Sequence, residues 1–169
     1  KKLKYDELSD VERKKIFNRI VDKYVNAIST LPFYSECKYI CAVPPRPGKT
    51  SPDYPSQIAQ EVANRLQLTD VTSMFLYKGG KAQAKSLSRD ERWAAWENAE
   101  LEFNREKAGE DIILVDDLYQ SGISVNYVAM KLKEAGFGKI LGLYIVKSQN
   151  DKDNILNGVE VKKKCQAPV

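Results

Sequence analysis

One stretch of the sequence decides the fold: Asp111-Ile-Ile-Leu-Val-Asp-Asp-Leu-Tyr-Gln-Ser-Gly-Ile-Ser124. It begins with four aliphatic residues, Ile112 to Val115, which are typical of a strand buried on both faces of a parallel sheet. Two carboxylates, Asp116 and Asp117, come where such a strand would end, and a helical stretch, Val125 to Ala135, follows a loop of small residues. Because ligands of open α/β sheets bind at the carboxyl ends of strands, we expect a binding site at this loop.

The loop has the composition of a phosphate site. Ser121, Gly122 and Ser124 open the helix, and free backbone N–H groups at such a helix start bind anions, most often phosphate. The adjacent carboxylates suit vicinal ribose hydroxyls or a hydrated Mg²⁺ ion. Phosphate at one end and a diol at the other describe a ribose 5-phosphate. The alternative is an ordinary parallel strand that ends in a turn with solvated Asp side chains, and the complete spacing favours the phosphate site.

Composition describes an ordinary globular domain. The chain has 169 residues, of which 43% are hydrophobic and 30% charged, which fits a single domain with a sizeable core. No apolar run approaches the length of a membrane span, and no signal-peptide pattern is present. The net charge of +4 owes much to basic runs near the two ends, and terminal charge runs are usually solvated rather than bound to nucleic acid.

Cysteine and histidine usage argues against zinc. Cys37, Cys41 and Cys165 include no CxxC pair, and the chain has no histidine, the commonest zinc partner and general base. These cysteines suit unpaired thiols in a reducing compartment, so we expect a cytoplasmic protein.

Strands alternate with helical stretches along the chain, which predicts an α/β single domain with a mostly parallel sheet and helices on both faces. An N-terminal helical extension (residues 1–36) carries a helix over Asp6 to Leu31, with Ser9 or Asp10 as its N-cap. The predicted strands are Lys38 to Val43, Val71 to Tyr77, Ala99 to Phe103, Ile112 to Val115 and Lys139 to Val146. A further helix is predicted over Ser56 to Leu68.

The central stretch resembles the phosphoribosyl-pyrophosphate (PRPP) motif of type I phosphoribosyltransferases, which has an aliphatic strand, two acidic residues and a Thr/Ser-Gly-x-Thr/Ser loop. Here the loop is Ser121-Gly122-Ile123-Ser124, with serines where threonines are usual. Three further stretches look like the ComF-type members of that group. They are the loop Val43-Pro-Pro-Arg-Pro-Gly-Lys49, the helix from Gln57 to Leu66, and a Lys/Gln-rich segment from Lys81 that leads through Glu91-Arg92 to a strand ending at Phe103.

The resemblance implies a protein that binds PRPP or a nucleoside monophosphate, uses Mg²⁺, and transfers a phosphoribosyl group with release of pyrophosphate. It assigns catalytic roles to Asp116, Asp117, Arg46 and Lys81, and places the metal at Asp116 and Asp117. The phosphate-binding residues would be Leu118, Tyr119, Gln120, Ser121, Gly122, Ile123 and Ser124. The pyrophosphate-binding residues would be Pro45, Arg46, Pro47, Gly48 and Lys49, although a proline-stiffened surface turn is the alternative for that loop.

Residues 78–98 correspond to a flexible hood that closes over PRPP in this fold family and excludes water. The alternative is an exposed amphipathic helix from Leu87 to Glu97 on a linker. Trp93 and Trp96 lie three residues apart on one helical face, and tryptophans there are more often core or interface anchors than base-stacking platforms.

Two other functions remain open from the sequence. One is a non-catalytic PRPP or nucleotide sensor in the same fold, and the other is a ComF-like accessory protein in DNA processing, for which the basic ends and the tryptophans would matter. The acceptor is not specified by any segment. A tryptophan-bearing helix leaves self-association into a homo-oligomer open as well.

Overall fold

The computed structural model describes residues 8–45, 53–79, 89–104 and 109–147. Its helices are α1 (Asp10–Thr30), α2 (Tyr54–Leu66), α3 (Arg89–Glu97) and α4 (Ile123–Glu134). Its strands are β1 (Tyr39–Ala42), β2 (Thr69–Asp70), β3 (Phe75–Tyr77), β4 (Leu101–Phe103), β5 (Ile112–Tyr119) and β6 (Ile140–Lys147). No helix in these ranges is both long enough and apolar enough to cross a membrane.

The main sheet has four parallel strands in the order β2-β1-β5-β6. Strands β3 and β4 form a separate antiparallel pair. The order is that of an α/β fold in which the chain crosses between parallel strands through helices. The predicted fold class is therefore confirmed.

Strand β5 is buried on both faces, as its run of aliphatic residues predicts. Ile112 and Leu114 pack in one core cluster, with α4 and the β3–β4 pair. Ile113 and Val115 pack in the other cluster, with α1 and α2. All four side chains are fully inaccessible to solvent, and burial of each contributes roughly 1.5–3 kcal/mol. Helices therefore cover both faces of the sheet.

Helix α1 is part of the core rather than an appendage. Ser9 is its N-cap and forms a capping box with Glu12, in which each side chain bonds the other residue's backbone N–H. Val21, Tyr24 and Ile28, spaced three and four apart, are buried in the cluster beneath the sheet. The N-terminal helix thus supplies one of the two layers that cover the sheet.

The predicted strand Val71 to Tyr77 is wrong as one element. The Oδ1 atom of Asp70 accepts hydrogen bonds from the backbone N–H of Thr72 at 2.9 Å and from its hydroxyl at 2.6 Å, which turns the chain. A 3-10 turn over Thr72–Met74 follows, and the chain then enters β3. Strand β3 pairs with β4, so neither of them lies in the parallel sheet.

Two of the three cysteines lie in the described ranges. Cys37 and Cys41 are buried and unpaired, as the sequence predicts. Burial raises the pKa of the Cys37 thiol to about 11 and that of Cys41 well above its ordinary value. Burial therefore favours the thiol over the more reactive thiolate at both positions. Cys165 lies outside the described residues.

Candidate functional site

The two adjacent carboxylates lie within β5, not after it as predicted. Strand β1 ends at Ala42, opposite Val115, but β6 continues to pair with β5, with Asp116 opposite Tyr144 and Tyr119 opposite Lys147. The longer neighbour therefore extends β5 by four residues beyond the point where β1 stops. Asp116 and Asp117 consequently lie at the carboxyl edge of the sheet, where β5 pairs with β6 but no longer with β1.

A sharp backbone turn then carries the chain from β5 into α4. Gly122 has φ +75° and ψ −4°, a left-handed conformation that favours glycine. A Cβ atom at this position would lie 2.5 Å from the Tyr119 hydroxyl oxygen, so a side chain there would require the Tyr119 ring to move. The Gly122 carbonyl accepts a hydrogen bond from the N–H of Asn126 at 2.8 Å. Helix α4 begins at Ile123, two residues earlier than predicted.

The side chain of Tyr119 folds back over this turn. Its ring packs against that of Tyr144, with centroids 5.0 Å apart and a 56° angle between the planes. The Lys147 Nζ atom lies 5.9 Å from the centroid of the Tyr119 ring. Burial, and then the neighbouring Tyr119 and Asp116, raise the pKa of Tyr144 to about 12. The aromatic pair thus forms one wall beside the start of α4.

The two carboxylates differ in their surroundings. An Oδ1 atom of Asp116 accepts a hydrogen bond from the backbone N–H of Asp117 at 2.8 Å. Both residues are half-buried, and because side chains alternate along a strand, they point to opposite faces of the sheet. Asp116 is on the face of Leu114 and α4, while Asp117 is on the face of Val115 and α1. The two carboxylates therefore have different neighbours.

Ser124 lies in the first turn of α4, and Trp96 contacts it. The indole Nε1–H of Trp96 donates a hydrogen bond to the Ser124 hydroxyl oxygen at 3.3 Å. Trp96 itself is only 3% exposed and belongs to the core cluster. Trp93 is half-buried against the same cluster and donates to Glu97 at 2.9 Å. The interpretation of the tryptophans as core anchors is therefore confirmed, but the contact of Trp96 with Ser124 of the predicted phosphate loop is not foreseen from the sequence.

The remaining predicted phosphate-loop residues differ in exposure. Leu118 is 43% exposed and Gln120 is exposed, while Ser121 is half-buried. The side chain of Ile123 is 5% exposed and packs in the core, so only its backbone is available to a ligand. Of the loop, then, the backbone around Gly122 and the hydroxyls of Ser121 and Ser124 are the groups that suit an anion.

The predicted pyrophosphate loop is described only at its start. Pro44 and Pro45 line an open groove of about 740 Å³ between α2 and the β2–β3 connection. Arg46, Pro47, Gly48 and Lys49 lie outside the described residues, as does Lys81. The predicted hood is described at its two ends: Lys78 forms an ion pair with Glu102 at 2.6 Å, and α3 is packed on α4 through its tryptophans.

The described side chains include no cluster of three or more His, Cys, Asp or Glu residues suited to a metal ion. Asp116 and Asp117 can provide at most a few ligands for Mg²⁺. This ion usually takes one or two carboxylate ligands from the protein and its other ligands from water and substrate phosphates. The donor set therefore fits a metal that arrives with a phosphorylated substrate rather than a metal held by the protein alone.

Sequence comparisons give no match: no protein-family model fits the chain, and no curated protein matches it. Solved structures do match. An adenine phosphoribosyltransferase has a TM-score of 0.56 at 16% identity, covering 94% of this chain and 81% of its own. The adenine phosphoribosyltransferase of Thermoanaerobacter pseudethanolicus has a TM-score of 0.51 at 20% identity, with 82% and 83% covered.

A larger protein shows the same likeness. The UMP synthase of Leishmania donovani has a TM-score of 0.51 at 14% identity over 91% of this chain, which spans only 26% of the synthase. The resemblance to ComF-type members is not confirmed by these likenesses. Together with the parallel sheet and the carboxylate-and-glycine turn at its carboxyl edge, these likenesses show that the chain has the fold of the type I phosphoribosyltransferases.

Proposed function

We propose that this chain binds PRPP and transfers its phosphoribosyl group to an acceptor, with release of pyrophosphate. One observation carries the proposal: Asp116 and Asp117 are followed by the left-handed Gly122 and the start of α4, at the point where β5 passes the end of β1. Carboxylates suit the hydroxyls of a ribose, and the free N–H groups at a helix start suit its 5-phosphate. The adenine phosphoribosyltransferases of the same fold add support.

The 5-phosphate would bind the backbone N–H groups at the start of α4. These groups have no carbonyl partner in the preceding turn of the helix, and the helix dipole adds a partial positive charge. The hydroxyls of Ser121 and Ser124 supply further donors. A side chain at position 122 would fill this space, which explains a glycine there.

One carboxylate of the pair would bind the ribose hydroxyls and so orient C1, and the other, on the opposite face of β5, would help to orient Mg²⁺-bound water or a neighbouring group. In the reaction, the bond between C1 and the pyrophosphate oxygen breaks and its electron pair leaves with pyrophosphate. A lone pair of the acceptor forms the new bond to C1. Positive charge develops on the ribose in between, and the fixed negative charges of Asp116 and Asp117 stabilise it electrostatically. No histidine is needed for this chemistry.

Mg²⁺, when bound through the substrate and one of these carboxylates, would neutralise part of the charge on pyrophosphate. The same task falls to the cations of the predicted pyrophosphate loop, Arg46 and Lys49, and to Lys81 of the predicted hood. Their part in the proposal rests on the family resemblance and their positions in the sequence.

Calorimetry with PRPP, with and without Mg²⁺, tests the binding step. We expect binding that strengthens when Mg²⁺ is present, and no binding of ribose without a phosphate. Failure of PRPP, ribose 5-phosphate and nucleoside monophosphates to bind would refute the proposal.

Catalysis is tested separately. Incubation of a panel of nucleoside monophosphates with pyrophosphate and Mg²⁺ should produce PRPP from at least one of them. Clear PRPP binding without turnover in either direction would favour the sensor. Binding of DNA that weakens steeply with salt, in the absence of PRPP binding, would favour the DNA-processing role.

A further inference from the structure

Three aromatic rings form a continuous stack beside the phosphate loop; we call Tyr77, Trp96 and Tyr127 the aromatic stack. The ring of Trp96 lies 6.4 Å from Tyr77 and 5.5 Å from Tyr127, with interplanar angles of 29° and 27°. Offset stacking of this kind adds about 0.5–1.5 kcal/mol per pair beyond the burial of area. Trp96 is thereby fixed between β3 and α4.

The aromatic stack connects the two predicted anion-binding loops. At one end, the hydroxyl of Tyr77 donates to the backbone carbonyl of Pro44 at 3.3 Å, where the chain leaves β1. In the middle, the indole N–H of Trp96 donates to Ser124 at 3.3 Å. Trp96 also lies near the end of α3, the last element of the predicted hood. A side chain of the predicted hood helix is therefore in contact with both the β3–β4 pair and the predicted phosphate loop.

The hydrogen bond from Trp96 to Ser124 determines which hydrogen bonds the Ser124 hydroxyl can still form. An indole N–H is a donor only, so the Ser124 oxygen must be the acceptor. With one lone pair engaged, the hydroxyl hydrogen remains available to donate to another acceptor. A donor that itself accepts a hydrogen bond is polarised and becomes a stronger donor. The bond therefore prepares the hydroxyl for an anion.

We propose that Trp96 is a positioning residue for the 5-phosphate: it holds the Ser124 hydroxyl as a donor towards the phosphate of a ribose 5-phosphate ligand. The inference rests on the proposed function, since it concerns the same phosphate loop. It adds a residue that lies 28 positions before Ser124 and outside the resembled motif.

The substitution Trp96→Phe keeps an aromatic ring in the stack and removes the N–H. We expect the Kd for ribose 5-phosphate to rise about three- to tenfold, which corresponds to one neutral hydrogen bond. Trp93→Phe is the matched control, because it makes the same chemical change three residues away, at a tryptophan that donates to Glu97 instead. We expect less than a twofold change for it. Thermal unfolding of both variants establishes that they fold.

A double-mutant cycle separates positioning from general packing. In a Ser124→Ala background, Trp96→Phe should no longer affect the Kd, whereas in a Ser124→Thr background, which keeps a hydroxyl, it should. Equal effects of Trp96→Phe with and without the hydroxyl would overturn the inference, as would equal effects of the two tryptophan substitutions.

The chain has two tryptophans, so Trp93→Phe leaves Trp96 as its sole indole fluorophore. Emission of that variant should shift when ribose 5-phosphate is added, and the shift should be lost when Ser124→Ala is added. If the unaltered chain binds neither ribose 5-phosphate nor PRPP, the proposed function is refuted, and this inference is refuted with it. If the chain binds these ligands but Trp96→Phe does not change the Kd, only the inference about Trp96 is refuted.

Discussion

The hydroxyl of Tyr24 donates a hydrogen bond to the backbone carbonyl oxygen of Asp116, with 2.9 Å between the two oxygens. It also lies 3.4 Å from the carbonyl oxygen of Leu143 on β6. Helix α1 is therefore tied to β5 at the residue where the carboxylate pair begins. Burial raises the pKa of Tyr24 above its ordinary value, and the charges of Asp116 and Asp117 add to the rise.

Tyr24→Phe should lower the free energy of unfolding at pH 7 by about 1 kcal/mol, because a largely buried hydrogen bond is lost. Its effect should also depend on pH. A tyrosine whose pKa is higher in the folded state than its value of about 10 in the unfolded chain stabilises the fold fully below pH 10, and this contribution is lost as the pH rises further.

Urea unfolding at pH 7 and at several values above pH 10 measures the effect of Tyr24. The unaltered chain should lose stability across the alkaline range, and Tyr24→Phe should lose less. Part of the slope should remain, because the pKa of Tyr144 is raised too. Identical alkaline slopes for the two proteins would contradict the assignment to Tyr24.

Gly122→Ala should abolish binding of ribose 5-phosphate and destabilise the protein. Gly109→Ala is the control, because Gly109 also has a left-handed φ of +77° but nothing lies within 4 Å of a Cβ there. The control should lose about 1 kcal/mol from backbone strain alone and keep its ligand affinity. Gly122→Ala should lose more, since its Cβ meets Tyr119. Unfolding and binding are measured on both variants. Equal losses of stability and of ligand affinity in Gly122→Ala and Gly109→Ala would contradict this prediction.

Asparagine substitutions should reveal unequal roles of the two carboxylates. Asp116→Asn keeps an oxygen that accepts the Asp117 N–H, so part of its local structure survives. We expect Asp117→Asn to weaken PRPP binding more, by tenfold or above, which is the loss of a charge-assisted hydrogen bond. Asp111→Asn is the control: it lies just before β5, at the opposite end of the strand, where Asp111 accepts from the Lys139 N–H. Calorimetry that ranks all three variants equally would show that the pair is merely solvated.

Hydrogen exchange tests the predicted hood. Gly79 is fixed at the end of the β3–β4 pair, where its N–H donates to the Ala99 carbonyl at 3.2 Å. The following residues, 80–88, lie outside the described ranges. We expect their amide protection to rise when PRPP and Mg²⁺ are added, because Lys81 and Lys85 then gain an anionic partner. Protection that stays constant while PRPP binds would favour a sensor over an enzyme.

The sequence predicts the elements that local patterns specify. The aliphatic run Ile112 to Val115 identifies a doubly buried strand. The helical spacing of Ile16, Ile20, Tyr24, Val25 and Ile28 identifies the first helix, and of these Tyr24 and Ile28 are buried in the core. Ser9, one of the two N-caps that the sequence offers for this helix, is the residue that caps it. In each case the signal and its structural result lie within a few residues of each other.

Errors arise where distant residues decide the outcome. The end of β5 depends on how far β6 extends beside it, and that length is set by residues 140–147. The break at Thr72 depends on a single Asp70 side chain, inside a run whose composition favours a strand. The contact of Trp96 with Ser124 joins residues 28 positions apart, and only the helical spacing of the tryptophans hinted at a buried face.

The extension of β5 alongside β6 has a consequence for insertions and deletions. Because Asp116 and Asp117 are held by strand pairing, the loss of one residue from the run Ile112 to Val115 would exchange the faces of the two carboxylates and bring Asp117 opposite Tyr144. The same loss in the β4–β5 connection would leave both carboxylates in place. Insertions and deletions of one residue should therefore be tolerated before Asp111, whereas between Ile112 and Tyr119 they should abolish ligand binding at the site.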